Sequence, residues 1–175
     1  QLHQPAAFGA RKGRLCTASR HERMKGLHMA IDAFVHHLQA HPRGFTLTIL
    51  GDGPERANLE SQAAAMASPG RVSFTGKLNY ADEFPAALRE HEMVLFANLN
   101  DEQPRAVFDG IAAGCIPICP RIDAYIVMGL PEQLYYPRGD EGALADVVLR
   151  IDALEDKSAL LAELRRVAER FTFES

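Results

Sequence analysis

Two stretches of this sequence carry charged side chains at spacings that could handle a phosphorylated ligand. In "SRHERMKG" (19–26), Arg20 and Lys25 flank the start of a helical pattern. A guanidinium fork and an ammonium point charge beside free helix N–H groups can cradle a diphosphate. A solvated basic turn would use the same residues. In "NDEQPRAVFDGIAAG" (100–114), Asp101 and Asp109 stand near opposite ends of a loop-to-helix segment. They could accept hydrogen bonds from the hydroxyls of one ligand. Ordinary helix chemistry also accounts for them: Asp101 and Glu102 complement the dipole, and Asp109 pairs with Arg105 at i, i+4 for only ~0.2–0.5 kcal/mol. Pro104 suits the first helical position, which makes Gln103 the N-cap. A third stretch, "GDGP" (51–54), has glycines for a tight turn and close backbone approach, and a proline that starts a helix. It is neither G-x-G-x-x-G nor G-x-x-x-x-G-K-[ST], which weakens dinucleotide oxidoreductase and nucleotide triphosphatase readings.

The elements that must position these loops alternate between two periods. Short apolar runs at 14–19, 45–50, 71–76, 93–98 and 115–120, with a shorter one around "QLYYP", read as strands. Between them, helical patterns run over 25–41, 54–67, 80–91 and 104–113, and two more, near 140–152 and 156–170, close the chain. In the first helix Leu27, Ala30, Ile31, Phe34, Val35 and Leu38 share one stripe. Such alternation means βαβ crossovers, so the expected fold is α/β, a doubly wound parallel sheet with helices on both faces. Ligands of these sheets bind beyond the C-terminal strand ends, where all three loops fall.

Composition bounds the remaining classes. At 175 residues and 47% hydrophobic content the chain suits one domain with a sizeable core. A formal charge of -4 gives no global reason to expect nucleic acid or an anionic membrane as partner. No apolar run approaches the roughly 20 residues of a bilayer span. The first residues lack the apolar core of a signal peptide and a starting methionine, which suggests a fragment of a longer chain. Cys16, Cys115 and Cys119 form no C-x-x-C pair and read as small buried side chains, in keeping with a reducing cytoplasm. His37 and His41 are i, i+4 without the glutamate of H-E-x-x-H, so surface histidines are the better account and no metal is expected. His21 lies in the first loop and is a weaker candidate for assisting there.

Taken in order, the motifs resemble the C-terminal, nucleotide-sugar-binding domain of GT-B-fold retaining glycosyltransferases of group 1 (family 4). The resemblance rests on "RHERMKG" (20–26), with Arg20 and Lys25 at the family's spacing, "GDGP", "VSFTG" (72–76), "DEQPRAVFDGIAAGCIPI" and "GDEGAL" (139–144). It covers about residues 14–172, with 1–13 as an N-terminal extension or linker. It implies one Rossmann-like half of a GT-B fold that binds a nucleotide-diphosphate sugar for metal-independent transfer, with no cofactor. Arg20 and Lys25 would hold the diphosphate and stabilise its developing charge. Asp101 would touch the donor sugar and Asp109 the ribose hydroxyls. Lys77 and Leu78 would lie beside the base. Ser19, Gly51, Gly53, Glu102, Gln103, Pro104 and Arg105 would complete the donor-binding set.

Three departures from the family pattern stand out. Both acids of its E-x₇-E pair are aspartates here, which withdraws each carboxylate by roughly 1.5 Å. Bulkier Glu102 and Gln103 replace small residues, and "PRIDAYIVMG" stands where the family has a Gly-Gly segment. The expected acceptor, a sugar, lipid or polysaccharide, would be held by an N-terminal domain outside this sequence. The longer protein would be cytoplasmic, with peripheral membrane association a further expectation. Competing readings are a degenerate, non-catalytic nucleotide-sugar-binding module and half of a sugar-nucleotide epimerase.

Overall fold

The computed structural model describes residues 8–102 and 105–173. A parallel six-stranded sheet runs in the order β3-β2-β1-β4-β5-β6. Its strands are β1 (Arg14–Ala18), β2 (Thr46–Leu50), β3 (Val72–Gly76), β4 (Met93–Leu95), β5 (Ile116–Pro120) and β6 (Tyr135–Tyr136). The order reverses between β1 and β4, so the chain winds outward in both directions from the middle of the sheet. Pairing is regular at the centre, with Leu15 facing Leu47 on one side and Met93 on the other.

Among the described residues seven α-helices connect and cover the strands: α1 (Leu27–Ala33), α2 (Arg56–Met66), α3 (Glu83–Arg89), α4 (Ala106–Ala112), α5 (Asp123–Ile126), α6 (Glu141–Asp152) and α7 (Ser158–Phe173). α1 packs against α2 and α6, while α4 packs against α3 and α7, which gives each face of the sheet its own helical layer. The central strands therefore face apolar neighbours on both sides. Leu15, Cys16, Leu47, Ile49, Met93, Val94, Leu95, Ile116 and Ile118 are fully buried. Each such side chain contributes about 1.5–3 kcal/mol on burial, which is why the strands read as apolar runs. All three cysteines are free and buried, as their context predicts. Among the described residues no helix is long and apolar enough to cross a membrane.

The structure departs from the sequence expectations at several boundaries. The first strand stops at Ala18, leaving Ser19 in a loop. The helix expected over 25–41 is a 3₁₀ turn (Arg23–Lys25), the left-handed Gly26, then α1 and a π-helical turn, Phe34–Leu38. α5 lies within "PRIDAYIVMG", a stretch with no expected element. Part of the expected N-terminal extension is docked: residues Phe8–Arg11 form a 3₁₀ turn, and buried Arg11 donates to the Ala113 carbonyl at 2.8 Å.

Glu92, just before β4, is fully buried, and neither of its carboxylate oxygens has a hydrogen-bond partner among the described residues. Burial pushes its carboxyl above the usual range; Asp152 adds to the rise, and Lys157, Lys12 and Arg43 oppose it. The folded state thus binds this proton more tightly than the unfolded chain. The associated stability is complete below the unfolded carboxyl's pKa, about 4.3, and is lost as pH rises through the folded value. Glu92→Gln should therefore melt higher than the parent at pH 8, with the gap closing toward pH 4.5 in thermal unfolding.

Candidate functional site

The loops at the C-terminal ends of β1 to β4 enclose a cleft of about 1030 Å³. Its shape begins with a glycine. Gly26 sits at φ 67°, between the 3₁₀ turn and α1, and a Cβ placed there would stand 1.9 Å from the Ala97 carbonyl oxygen. No other residue type allows that approach. The Leu99 N–H then donates to the Met24 carbonyl at 2.8 Å, joining the loop after β1 to the loop after β4. No side chain caps the start of α1, whose Met29 and Ala30 N–H groups donate to the Gly26 carbonyl.

This junction brings Lys25 and Glu102 together. Lys25 Nζ donates to Glu102 Oε2 at 2.5 Å, and Asn100 Nδ2 donates to the same oxygen at 3.1 Å. Lys25 first, and then Asn100, hold the Glu102 carboxyl below its usual range, so it is ionised at neutral pH. The Lys25 side chain is only 14% exposed, against 55% for Glu102. Arg20, on the same rim, pairs with Glu22 at 2.6 Å and is largely exposed.

The "GDGP" turn forms the adjoining wall. A Cβ on Gly53 would lie 2.7 Å from the backbone of His21, whose N–H and C=O bond to the Asp52 carbonyl and the Glu55 N–H. The two loops are thereby stitched backbone to backbone. His21 itself is buried, with Nε2 3.3 Å from the Leu50 carbonyl and its ring edge-on to Phe74. Burial lowers its pKa and keeps it neutral at pH 7. Its role is to hold the turn, and the expectation that it assists at the phosphate loop is corrected accordingly.

The far wall is aromatic. Tyr80 stacks on Phe84 with ring centroids 5.3 Å apart, and the Arg105 guanidinium lies 5.8 Å from the Tyr80 centroid. The Tyr80 hydroxyl donates to Asp109 Oδ2. Desolvation, then Asp109, raises the Tyr80 pKa, so the phenol remains a donor. The i, i+4 geometry expected for Arg105 and Asp109 is thus replaced by two separate engagements with Tyr80. Sequence reading passed over Tyr80 and Phe84; their own i, i+4 spacing was the available signal.

Of the expected site residues, Ser19, Arg20, Lys25, Gly51, Gly53, Lys77, Leu78, Glu102 and Arg105 line the cleft. Gln103 and Pro104 lie outside the described residues. Asp109 stands behind Tyr80. Asp101 is turned away: its Oδ1 accepts the Ala124 N–H at 2.8 Å, satisfying a free donor in the first turn of α5. A buried phenol chain fixes α5 in turn, with Tyr125 donating to Asn98 Oδ1 and Tyr135 to the Tyr125 carbonyl, both at 2.7 Å. Of the other histidines, His36 reaches Glu141 at the start of α6, His41 accepts the Arg43 N–H, and His91 contacts the Ala87 carbonyl. Among the described residues no three His, Cys, Asp or Glu side chains are grouped to hold a metal.

An open parallel sheet in this strand order, with its cleft at the strand ends beside the reversal, defines a Rossmann-like fold. The Anabaena protein HepE in complex with UDP-glucose superposes with a TM-score of 0.78 at 18% identity, over 91% of this chain and 44% of that one. The C-terminal domain of a group 1 glycosyl transferase (LpcC) from Francisella tularensis gives 0.74 at 16%, over 93% and 85%. These likenesses establish the fold. The chain belongs to the family "Glycosyl transferases group 1", whose model matches residues 12–153. It is 34% identical over 149 residues to a 2-deoxystreptamine glucosyltransferase of Streptomyces kanamyceticus, a match covering 81% of this chain and 36% of that protein's length.

The site analysis gives a stability test. Gly26→Ala should cost more than about 2 kcal/mol in urea unfolding, since strain and a backbone clash act together. Gly139→Ala shares a positive φ, 81°, but meets nothing within 4 Å. It should lose only about 1–2 kcal/mol.

Proposed function

We propose that this chain binds the nucleotide-diphosphate sugar of a retaining, metal-independent glycosyltransferase. The observation that carries the reading is the convergence of Arg20, Lys25 and Arg105 on one cleft, beside an aromatic wall at the end of β3. These cations oppose the two negative charges of a nucleotide-sugar diphosphate. The wall and the Lys77–Leu78 backbone offer a place for a base. In this reading the ribose hydroxyls reach Asp109, behind Tyr80, by taking the place of the Tyr80 hydroxyl. Family membership, and the UDP-glucose held by HepE, support a sugar nucleotide over other diphosphates.

In the proposed reaction the bond between the sugar's anomeric carbon and the diphosphate oxygen breaks. The electron pair leaves with the diphosphate, where Lys25 and Arg20 stabilise it without reorganising. An acceptor hydroxyl oxygen forms the new bond to the anomeric carbon, and its proton passes to the departing diphosphate oxygen. Retention is inferred from the family resemblance, and metal independence from the cationic cleft. The acceptor, a sugar, lipid or polysaccharide, would be held by another part of a longer protein. That placement is consistent with a match covering 36% of the curated relative.

Calorimetric titration with UDP, GDP and ADP tests the reading. At 100 times its Kd, the favoured nucleotide should add about 2.7 kcal/mol of stability, a rise in Tm of roughly 5–10 °C. Lys25→Ala should weaken both that nucleotide and inorganic pyrophosphate at least tenfold, whereas Asp109→Asn should weaken the nucleotide and spare pyrophosphate. If none of the three nucleotides binds at millimolar concentration, the cleft is not a donor site.

A further inference from the structure

We infer that Glu102, and not Asp101, is the carboxylate that recognises the sugar end of the donor, and that Asp101 is a positioning residue for α5. The inference rests on the donor-site reading above.

The two acids are neighbours in sequence and have opposite surroundings. The Asp101 carboxylate reaches out of the cleft to the Ala124 N–H, 2.8 Å away. There it caps α5, whose Tyr125 is fully buried and hydrogen-bonded to Asn98. Releasing that carboxylate to a ligand would strip the helix of its cap. Glu102 lines the cleft and is held by Lys25 and Asn100 at one oxygen, Oε2. The cleft's remaining acid, Asp52, is committed to the Gly53 N–H and Arg56. Glu102 is therefore the cleft carboxylate whose partners are all side chains and which keeps oxygen lone pairs for a ligand.

Its neighbour fixes which part of a ligand it meets. Lys25 has three ammonium donors and can serve Glu102 and a phosphate at once. A diphosphate on Lys25 then puts the group beyond its terminal phosphate beside Glu102. An ionised carboxylate there accepts hydrogen bonds from neutral sugar hydroxyls and repels a second carboxylate. The site should thus favour neutral hexoses over hexuronic acids. The same loop crosses Met24 through the Leu99 N–H, so Glu102 is placed by backbone contacts and not by chance rotamers.

The test compares sugar nucleotide with bare nucleotide, so that nucleotide affinity cancels. Titrations with UDP and UDP-glucose, GDP and GDP-mannose, and ADP and ADP-glucose identify the pair that binds. The readout is the ratio of Kd for the nucleotide to Kd for its sugar conjugate. Glu102→Gln should lower this ratio at least fivefold, with nucleotide affinity unchanged or tighter because Lys25 loses its competing anion. Glu102→Asp should restore part of the ratio. The fall in Glu102→Gln should exceed that in Asp101→Asn at least fivefold, and Asp101→Asn should instead lower Tm. An equal or larger fall in Asp101→Asn overturns the assignment, as does an unchanged ratio in Glu102→Gln. Absence of any nucleotide binding in the parent chain would refute the donor site itself, a separate result from a nucleotide that binds without discrimination by Glu102.

Discussion

The site depends on one backbone approach, the passage of Gly26 against Ala97. Two strand-end loops that are about seventy residues apart can meet only where one of them lacks a Cβ. The left-handed φ of Gly26 then aims the 3₁₀ turn at the cleft and α1 away from it. Lys25 sits on one side of this crossing and Glu102 on the other. Without the crossing, the basic loop would be a solvated turn and the acidic loop a helix entrance.

A consequence is a site that satisfies itself. Lys25 holds Glu102, Arg20 holds Glu22, and Tyr80 holds Asp109. Exposed pairs of this kind stabilise the fold very little. What they do is keep ionised groups partnered at the cleft, so a ligand exchanges contacts and does not simply add them. The gain on binding is a difference between partners, which favours ligands whose phosphates and hydroxyls suit these donors and acceptors better than the internal ones do.

α5 sets the surroundings of the loop after β4. A short helix stands where the family pattern has a Gly-Gly segment, and it needs a cap, a buried phenol and a fixed entry. Asp101, Asn98, Tyr125 and Tyr135 meet those needs together. An acid that looks like a ligand contact in the sequence thereby becomes part of the scaffold, and the adjacent glutamate is left facing the cleft.

Much of this was legible in the sequence. Apolar runs of five or six residues between helical periods determined a doubly wound parallel sheet, because strands buried on both faces must be apolar throughout. Arg20, Lys25, Gly51, Gly53, Lys77, Leu78 and Arg105 could be placed at strand ends, since element order alone sends those loops to one edge. Three things were not legible. Asp109 binds Tyr80 and not Arg105; Asp101 caps a helix that no periodicity announced; His21 is buried under a turn. Each is decided by a contact between segments 20 or more residues apart. Local spacing fixes which face of an element a side chain leaves from. Which partner it finds there depends on how the elements pack, and only the tertiary structure decides that.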